Sequence, residues 1–528
     1  MVIVSVALVP ALCLLAVVSA RALWLRVSSK ASRKPVFPGP SPLPIVGNIL
    51  PSERVWITLS AIGEKYGRVE ERHALSRLIP NSPPVGPIFS LKLLSTPVLV
   101  VNSSTAARDL FELRSANYAN RPLPKIVQMA GFDRGVALEH DPARLRLGRK
   151  VMHSVIQPRV IVEFRDRIQH YLAIYLKYMI ESPDRFVQHA KLLLAGVTLE
   201  MSHGYEISGP NDVYLGQAEI LVKNFSQASY AGGHLVNWLP FLSYLPAWLP
   251  GMGFKRMARQ WREHYDRVAG EAFDYAKSEI TDGTARPSMV QKALADMSQD
   301  GIPEDIVKYS AAQVYSGGAD TTASTIIAFI LMMVRHPEVQ SRAQAEIDTV
   351  TGHTRLPAFA DRAQLPYVDA VLAEVLRVLP PIPAILRQPE NDDIYEGRLI
   401  PKGTMMIENI WGMLHDRNVY PEPAAFRPER WLKADKQDIR HPLNVAFGFG
   451  RRICPGRLLA EELAFTAIAL LLSSFDISCA HDDNGDPIVP APEQTNGSII
   501  FPLPFRCHIR PRNDRAQERV EEFIRAHT

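Results

Sequence analysis

One cysteine of this chain stands in a setting that suits metal-centred chemistry. Cys454 lies in the glycine-rich segment Phe447-Gly448-Phe449-Gly450-Arg451-Arg452-Ile453-Cys454-Pro455-Gly456, and an apolar helical stretch follows it. Glycines allow tight turns and the close approach of a flat ligand, while arginines and a helix N-terminus favour a thiolate. Such a thiolate suits an iron atom in a planar macrocycle with carboxylate arms. The alternative is a buried structural cysteine, the usual role of a free cysteine.

A second set of polar residues interrupts a long apolar helical pattern over residues 306–334. In Tyr315-Ser316-Gly317-Gly318-Ala319-Asp320-Thr321-Thr322, two adjacent glycines precede an acid and two hydroxyls. Each glycine costs a helix about 1 kcal/mol relative to alanine, and threonine can donate back to a carbonyl one turn earlier. Two interpretations are open: a close crossing with another helix, or a ligand that lies against the glycines.

Glu374 and Arg377 lie three residues apart in a predicted helix over residues 368–378, so they share one face and can pair. This spacing by itself is typical of a solvated surface pair. Because the neighbouring residues are apolar, we expect this pair to be buried, and a buried pair needs further hydrogen-bond partners.

The composition excludes several classes of protein. The chain has 528 residues, of which 47% are hydrophobic and 22% charged, as in globular proteins. A net charge of +4 is too weak to indicate nucleic-acid binding. The four cysteines, Cys13, Cys454, Cys479 and Cys507, form neither a CxxC pair for zinc nor a dense disulfide framework. We therefore expect the body of the chain to lie in a reducing compartment.

The N-terminus is predicted to be a membrane anchor. Residues 2–20 carry no charge, and as a helix they would be roughly 29 Å long, enough to span a hydrocarbon core. The basic residues that follow place that side in the cytosol. A cleaved signal peptide is the rival, but no positive residue precedes the long apolar run. We predict an anchor over residues 1–22 and a basic, proline-rich hinge over residues 23–48, which prolines stiffen.

The rest of the chain is predicted to be one large, mainly α domain with small β-sheets. Apolar residues recur at three- and four-residue spacing over residues 160–230, 255–300 and 306–350, which predicts helices. Glycine and proline concentrate over residues 379–457, which predicts loops and short strands. The strand-like runs are residues 88–94, 97–102, 499–502 and 505–509.

The spacing Phe447-x-x-Gly450-x-Arg452-x-Cys454-x-Gly456 resembles the haem-binding loop of the cytochrome P450 family. The glycine pair with its acid and hydroxyls resembles that family's oxygen-activation segment, and the resemblance covers roughly residues 35–510. Its nearest likeness is to fungal secondary-metabolite P450s. It implies the cytochrome P450 fold in a catalytic domain over residues 49–510, haem b as the cofactor, and Cys454 as the axial ligand of the iron.

The resemblance also assigns roles to other residues. Asp320 and Thr321 would organise the water that delivers protons, while the glycines make room for dioxygen. Arg430 would join Glu374 and Arg377 in a trio that supports folding and the haem loop. The residues implied to bind the haem are Cys454, Arg452, Phe447, Gly450, Arg149 and Gly456. The residues implied to line the substrate site are Gly317, Gly318, Ile382, Pro383, Ala384 and Ile499.

Two positions depart from the family pattern around the haem carboxylates. Arg149 occupies the arginine position of W-x-x-x-R, but Leu145 replaces the tryptophan and removes an indole donor. At Arg387-Gln388, where relatives often place Pro-His or a similar donor, either residue could take that role.

Three segments of this chain have an unusual sequence. Residues 68–85 form an insertion that relatives lack, either a surface loop or a retained intron in a gene model. Residues 238–251 are apolar, aromatic and broken by prolines, so they do not form one continuous helix. They are either a core-buried loop or a membrane-dipping loop at a substrate entrance. Residues 511–528 are charged, and we expect a loosely held tail.

The implied reaction is monooxygenation of a lipophilic small molecule such as a terpenoid, polyketide or aromatic intermediate. Electrons would come from NADPH through a separate cytochrome P450 reductase, with cytochrome b5 as an additional donor. The protein would be a single-pass protein of the endoplasmic reticulum membrane with a cytosolic catalytic domain. The alternatives are a P450-type rearrangement or dehydration enzyme that needs no reductase, and a non-catalytic membrane haem protein.

Overall fold

The computed structural model describes residues 37–67 and 88–528, except for residues 45, 52, 95, 230–232, 434, 437 and 439. The predicted anchor, the hinge up to residue 36 and the predicted insertion at residues 68–85 lie outside the described residues.

Helices make up most of the described chain, in keeping with the apolar spacing of the sequence. Their bounds are α1 (Val55–Gly67), α2 (Ser104–Ala107), α3 (Lys125–Met129), α4 (Pro142–Ile156), α5 (Pro158–Glu163), α6 (Arg165–Glu181), α7 (Phe186–His203), α8 (Val213–Ser229), α9 (Leu235–Trp238), α10 (Gly253–Asp282), α11 (Met289–Asp300), α12 (Glu304–Arg335), α13 (Pro337–Thr351), α14 (Pro366–Val378), α15 (Ile410–Leu414), α16 (Pro442–Val445), α17 (Arg457–Ser474) and α18 (Asp514–His527).

Short strands form three small sheets beside the helices. The strands are β1 (Ile88–Leu93), β2 (Thr96–Val101), β3 (Ile385–Arg387), β4 (Asp393–Tyr395), β5 (Arg398–Ile400), β6 (Met405–Glu408), β7 (Phe475–His481), β8 (Pro487–Ile488) and β9 (Cys507–Pro511). The largest sheet has the order β1-β2-β6-β3, in which β2 and β6 are parallel and the other neighbours antiparallel. The other sheets are β4-β5 and β8-β7-β9.

Helix α12 lies at the centre of the molecule and contacts α4, α7, α8, α10 and α17. Within the described ranges it is the one helix long and apolar enough to cross a membrane, but 83% of its most apolar window is buried in the protein. A helix that is apolar on all sides fits a core position. We therefore assign α12 to the core, where its glycines and its acid face neighbouring helices and internal space.

Most of the predicted elements are confirmed. The three predicted helical regions contain α5 to α8, α10 and α11, and α12 and α13, respectively. Strands β1 and β2 match two of the predicted runs, and β9 begins two residues later than the run at 505–509. The strand predicted at residues 499–502 is wrong. There Pro502 forms an isolated bridge with Gln494, and the backbone of Ile500 bonds to Pro381 and to the Ser324 side chain instead.

The prediction of a loosely held C-terminal tail is also wrong. Residues 514–527 form α18, which packs against α6 with Ala516 and Val520 buried. The side chain of Asn513 accepts from the Ala516 N–H and caps the helix. Arg512 pairs with Asp348 through two hydrogen bonds of 2.9 and 2.6 Å. Charged residues cover the outer face of α18, so its sequence gives little sign of the narrow apolar stripe that packs against α6.

Residues 238–251 are discontinuous, as their prolines predicted. A short 3-10 turn over Pro240–Tyr244 follows α9. The interpretation as a core-buried loop is wrong, because Phe241, Tyr244 and Trp248 are 57%, 84% and 80% exposed. Three large aromatic side chains therefore face outward on one short segment.

Candidate functional site

The loop that carries Cys454 is held in shape by its own backbone and by its neighbours. The Cys454 N–H donates to the Phe447 carbonyl at 2.9 Å, which closes the loop. Gly450 has φ +62°, and a Cβ there would lie 1.9 Å from the Phe111 carbonyl oxygen. Only glycine fits this position, since it has no side chain and tolerates positive φ. Gly456 lies next to the sulfur, since a Cβ built on it would be 4.0 Å from the Cys454 sulfur, at ordinary van der Waals contact.

The Cys454 thiol faces an enclosed space. Its side chain is exposed, yet burial raises the pKa of the thiol, against the opposing effects of the Gly456 N–H and of Arg149 and Arg121. The thiol has accessible surface, yet the surrounding protein desolvates it. The space that it faces is therefore an internal cavity rather than bulk solvent. In such a place a thiolate needs a strong positive partner, and a metal ion deprotonates a coordinating thiol.

Two predicted arginines tie this loop to the rest of the fold. Arg452 is buried and donates to the backbone carbonyls of Ala119, Val136 and Glu139. Arg149, on α4, donates to the Ile453 carbonyl at 3.1 Å, one residue before the cysteine. The structure thus brings both arginines to the cysteine loop, where they also support its shape.

A third arginine, Arg121, was missed by the sequence analysis. Its Nε is buried and has no hydrogen-bond partner among the described residues. Burial and the nearby charges of Arg387 and Arg452 lower the pKa of Arg121 to about 9. Nothing in its local sequence marked it, because no spacing connects residue 121 to a cysteine that lies more than three hundred positions away.

Of Arg387 and Gln388, Arg387 is the residue that contacts the cysteine loop. This residue is buried, donates to Glu408 at 2.8 Å and also donates to the Phe449 carbonyl of the cysteine loop. Gln388 instead donates to the Gly403 carbonyl. We call Arg121, Arg149, Arg387 and Arg452 the arginine cluster. Because Glu408 is already paired with Arg387, the cluster holds surplus positive charge in a buried region, which suits an anionic ligand.

The two glycines of α12 serve different purposes. A Cβ on Gly318 would lie 2.6 Å from the Thr198 Cγ2 on α7, so this glycine permits a close crossing of two helices. A Cβ on Gly317 would meet nothing within 4 Å. The interpretation as a close helix crossing is therefore confirmed at Gly318, while Gly317 faces open space and a ligand against it stays a prediction.

Asp320 and Thr321 follow on the same helix. The Thr321 hydroxyl donates to the Gly317 carbonyl at 2.9 Å, which is the back-bonding expected for threonine in a helix. Burial raises the pKa of Asp320 to about 6, while Lys191 acts to lower it and Glu219 to raise it. Lys191 and Glu219 are themselves paired at 3.1 Å. A carboxyl with such a pKa can both hold and release a proton near neutral pH.

The predicted burial of the Glu374–Arg377 pair is confirmed, and the structure places Arg430 beside it. Glu374 and Arg377 are both fully buried and form two hydrogen bonds of 2.8 Å. Arg430 lies 3.4 Å from the same carboxylate, and the indole of Trp431 donates to it at 2.8 Å. The remaining guanidinium donors of Arg377 bond to the carbonyls of residues 414, 423 and 425. These contacts join α14 to the segments that precede the cysteine loop.

The segments predicted to contact substrate converge on α12. The Ile500 carbonyl accepts from Ser324 at 2.7 Å, and the Ile500 N–H donates to the Pro381 carbonyl at 3.0 Å. Ile382, Ala384 and Ile499 are partly exposed around these bonds, whereas Pro383 is buried. A cavity in this region is lined by Thr321, Thr322, Thr325, Leu372, Leu376, Pro381, Ala446, Phe447, Ala460, Glu461 and Ala464. It connects the hydroxyl of Thr321 on α12 with the start of the cysteine loop.

Comparisons with known proteins agree with this geometry. The family model for cytochrome P450 matches residues 37–503. Cytochrome P450 monooxygenase 208 of Postia placenta is 36% identical over 92% of both chains. Cytochrome P450 monooxygenase claR of Ampulloclitocybe clavipes is 36% identical over 94% of this chain and 90% of its own. A zebra fish cytochrome P450 structure with progesterone has a TM-score of 0.70 and 23% identity, over 88% of this chain and 100% of that chain, which shows the shared fold.

The chain therefore belongs to the cytochrome P450 family, as a monooxygenase of the oxidoreductase class. The family and the fold imply haem, and the residues present fit that group. The Cys454 thiol is exposed within the fold, Gly450 lets its loop pack against Phe111, and the arginine cluster offers an unpartnered buried donor that suits the carboxylates of a haem.

Proposed function

We propose that this protein is a haem-thiolate monooxygenase that inserts one oxygen atom from dioxygen into a lipophilic small molecule. The observation that carries the proposal is the cavity that joins Thr321 to the cysteine loop, with Asp320 next to Thr321 in sequence. The related fungal monooxygenases favour a role in fungal secondary-metabolite biosynthesis, with a terpenoid, polyketide or aromatic intermediate as the substrate.

When bound, the haem supplies the activation of dioxygen and the transfer of its oxygen atom. Cys454 would hold the iron as a thiolate and would donate electron density to it. The arginine cluster would bind the two propionates by charge-assisted hydrogen bonds. Phe447 closes the loop through its carbonyl, while Gly450 allows the close approach of the loop to Phe111.

Asp320 and Thr321 control protons in this scheme. Asp320 accepts a proton on the side of the carboxyl that faces Lys191 and Glu219, and it releases that proton toward the cavity. A pKa of about 6 permits both steps near neutral pH. The Thr321 hydroxyl, bonded to the Gly317 carbonyl, positions water beside the open face of Gly317. These groups move protons while the surrounding apolar residues exclude bulk water.

The substrate is held mainly by apolar contacts. Gly317, Ile382, Ala384 and Ile499 offer no charge to a ligand, so a lipophilic molecule fits better than a polar one. Gly318 lies against Thr198 and contributes through helix packing, and Pro383 is buried behind the same loop.

The membrane setting is part of the proposal. The exposed Phe241, Tyr244 and Trp248 favour a loop that dips into a lipid surface at a substrate entrance, since aromatic side chains suit the membrane interface. Together with the predicted N-terminal anchor, they would hold a cytosolic catalytic domain on the endoplasmic reticulum. Electrons would come from NADPH through a separate cytochrome P450 reductase, with cytochrome b5 as a second donor. Exposed Lys150 and Arg451 would contribute to the docking face.

The test is co-expression with a cytochrome P450 reductase and metabolite profiling against candidate pathway intermediates. We expect an oxygenated product that depends on NADPH and the reductase, and the carbon monoxide difference spectrum of a haem-thiolate protein. Cys454→Ser should lose both the thiolate spectrum and turnover, while Cys479→Ser should keep them. Turnover of the same substrate by Cys454→Ser would refute the haem-thiolate mechanism. Turnover without reductase would favour a rearrangement or dehydration enzyme.

A further inference from the structure

Two of the remaining cysteines, distant in sequence, face each other in the small sheet β8-β7-β9. In the antiparallel register of β7 and β9, Cys479 lies directly opposite Cys507. Both thiols are free and partly buried, and both pack against the main hydrophobic core. We propose that Cys479 and Cys507 form a dithiol site that a peroxide converts to an intramolecular cross-strand disulfide.

The hydrogen bonds around β7 show which kind of pair this is. The N–H and carbonyl of Ile477 bond to the side chain of Gln340, so the pair of Ile477 with Ile509 is not the hydrogen-bonded kind. The Arg512 N–H donates to the Ser474 carbonyl. The pair of Ser474 with Arg512, which lies three pairs from that of Ile477 with Ile509, is therefore hydrogen-bonded. Because hydrogen-bonded and non-hydrogen-bonded pairs alternate along an antiparallel ladder, the pair of Cys479 with Cys507 is non-hydrogen-bonded as well.

This geometry favours a disulfide. Opposite residues of a non-hydrogen-bonded pair have Cα atoms about 4.5 Å apart, with their side chains close together. A disulfide bridges Cα separations of about 4.4 to 6.8 Å. The two cysteines share the face of the sheet that also carries buried Ile477 and Ile509. The sulfur atoms can therefore meet with only side-chain rotation and a small adjustment of the strands.

The chemistry balances with hydrogen peroxide as the oxidant. The thiolate of one cysteine attacks the peroxide and becomes a sulfenic acid, releasing hydroxide that takes up a proton to become water. The second thiol then attacks the sulfenic sulfur and displaces a second water. Two thiols and one peroxide thus give one disulfide and two waters. Burial and the neighbouring Cys479 raise the pKa of Cys507 to about 12, which disfavours Cys507 as the first nucleophile.

The pair also contacts the central helix. The Cys479 thiol donates to the Val334 carbonyl at 3.7 Å, in the last turn of α12. Forming the disulfide removes the thiol hydrogen and therefore this weak bond. Oxidation would thus remove a contact at the C-terminal end of α12, the helix that carries Asp320 and Thr321.

The test treats the full-length, haem-loaded protein with hydrogen peroxide, alkylates the free thiols and analyses the peptides by mass spectrometry. We expect a cross-linked peptide pair that contains Cys479 and Cys507, lighter by two hydrogens, which dithiothreitol removes. Cys479→Ala and Cys507→Ala should each abolish it while retaining the carbon monoxide spectrum of the folded protein. In the double variant Ser478→Cys/Cys479→Ala the new thiol lies on the opposite face of β7, so it should form no cross-link.

The proposal is overturned if both thiols stay fully alkylatable at peroxide concentrations that oxidise an exposed thiol. It is equally overturned if each is oxidised separately to the sulfinic acid, or if the strand-face control cross-links as well as the natural pair.

Discussion

Replacement of Asp320 by asparagine should stabilise the protein while it impairs turnover. The carboxyl has an ordinary pKa of 3.8 and a pKa of about 6 in the fold, so keeping it ionised in the folded protein costs about 3 kcal/mol. The sign follows from linkage: a raised carboxyl pKa leaves stability intact at low pH and removes it as the pH rises through the folded value. Asp320→Asn should therefore be more stable by about 3 kcal/mol near pH 8, and by roughly half of that near pH 5.

The assay is urea unfolding of the haem-loaded proteins at both pH values, with the pH profile of turnover measured beside it. Turnover should fall about 100-fold or more, and the apparent pKa near 6 should disappear from the profile. Asp305→Asn is the matched control, because Asp305 lies on the same helix, half exposed, and pairs with Arg144 at the surface. Its effect should stay within about 1 kcal/mol at either pH. Equal stabilisation of Asp320→Asn at both pH values would refute the reasoning, as would turnover unchanged from the natural protein.

The other predictions concern helix packing, the buried trio and the arginine cluster. Gly318→Ala should lower the free energy of unfolding by about 1 to 3 kcal/mol, because its Cβ would overlap Thr198. Gly317→Ala should raise it by up to about 1 kcal/mol in the same urea assay and alter the substrate-induced spectral shift, since its Cβ enters open space. Glu374→Ala should cost about 3 to 5 kcal/mol by leaving buried Arg377 unpaired, and expression yield of haem-loaded protein would report it. Arg121→Ala should weaken haem retention, measured as haem per protein after gel filtration, yet stabilise the haem-free protein by relieving repulsion among the arginines.

Local patterns predicted much of the fold and the centre of the site. The Cys454 loop, the glycine-acid-threonine segment and the Glu374–Arg377 pair are each contained within a short stretch of chain. Helical spacing predicted the core helices because one face, or in α12 every face, must be buried. The burial of Glu374 could be expected since its neighbours on α14 are apolar, and the structure confirms it.

Other features depend on contacts between distant segments. Arg121 has no local signature, and its importance follows from meeting Arg387 and Arg452 in space. Residues 499–502 have the composition of a strand, yet they form only an isolated bridge with Gln494, and the backbone of Ile500 bonds to Ser324 of α12 and to Pro381. The C-terminal segment looked like a solvated tail because the apolar stripe of α18 is narrow, and only its partner α6 gives that stripe a place to bury.

The sequence by itself determined the family and the candidate site residues, since a cysteine loop and an acid–hydroxyl pair are specified by residue types at short spacing. The tertiary structure decided how these groups are used. It showed that Gly318 serves packing while Gly317 faces open space, that Arg387 rather than Gln388 joins the arginine cluster, and that Cys479 lies opposite Cys507. Each of these outcomes depends on which residues of distant segments come within a few ångströms of each other. A local sequence pattern contains no information about those distances.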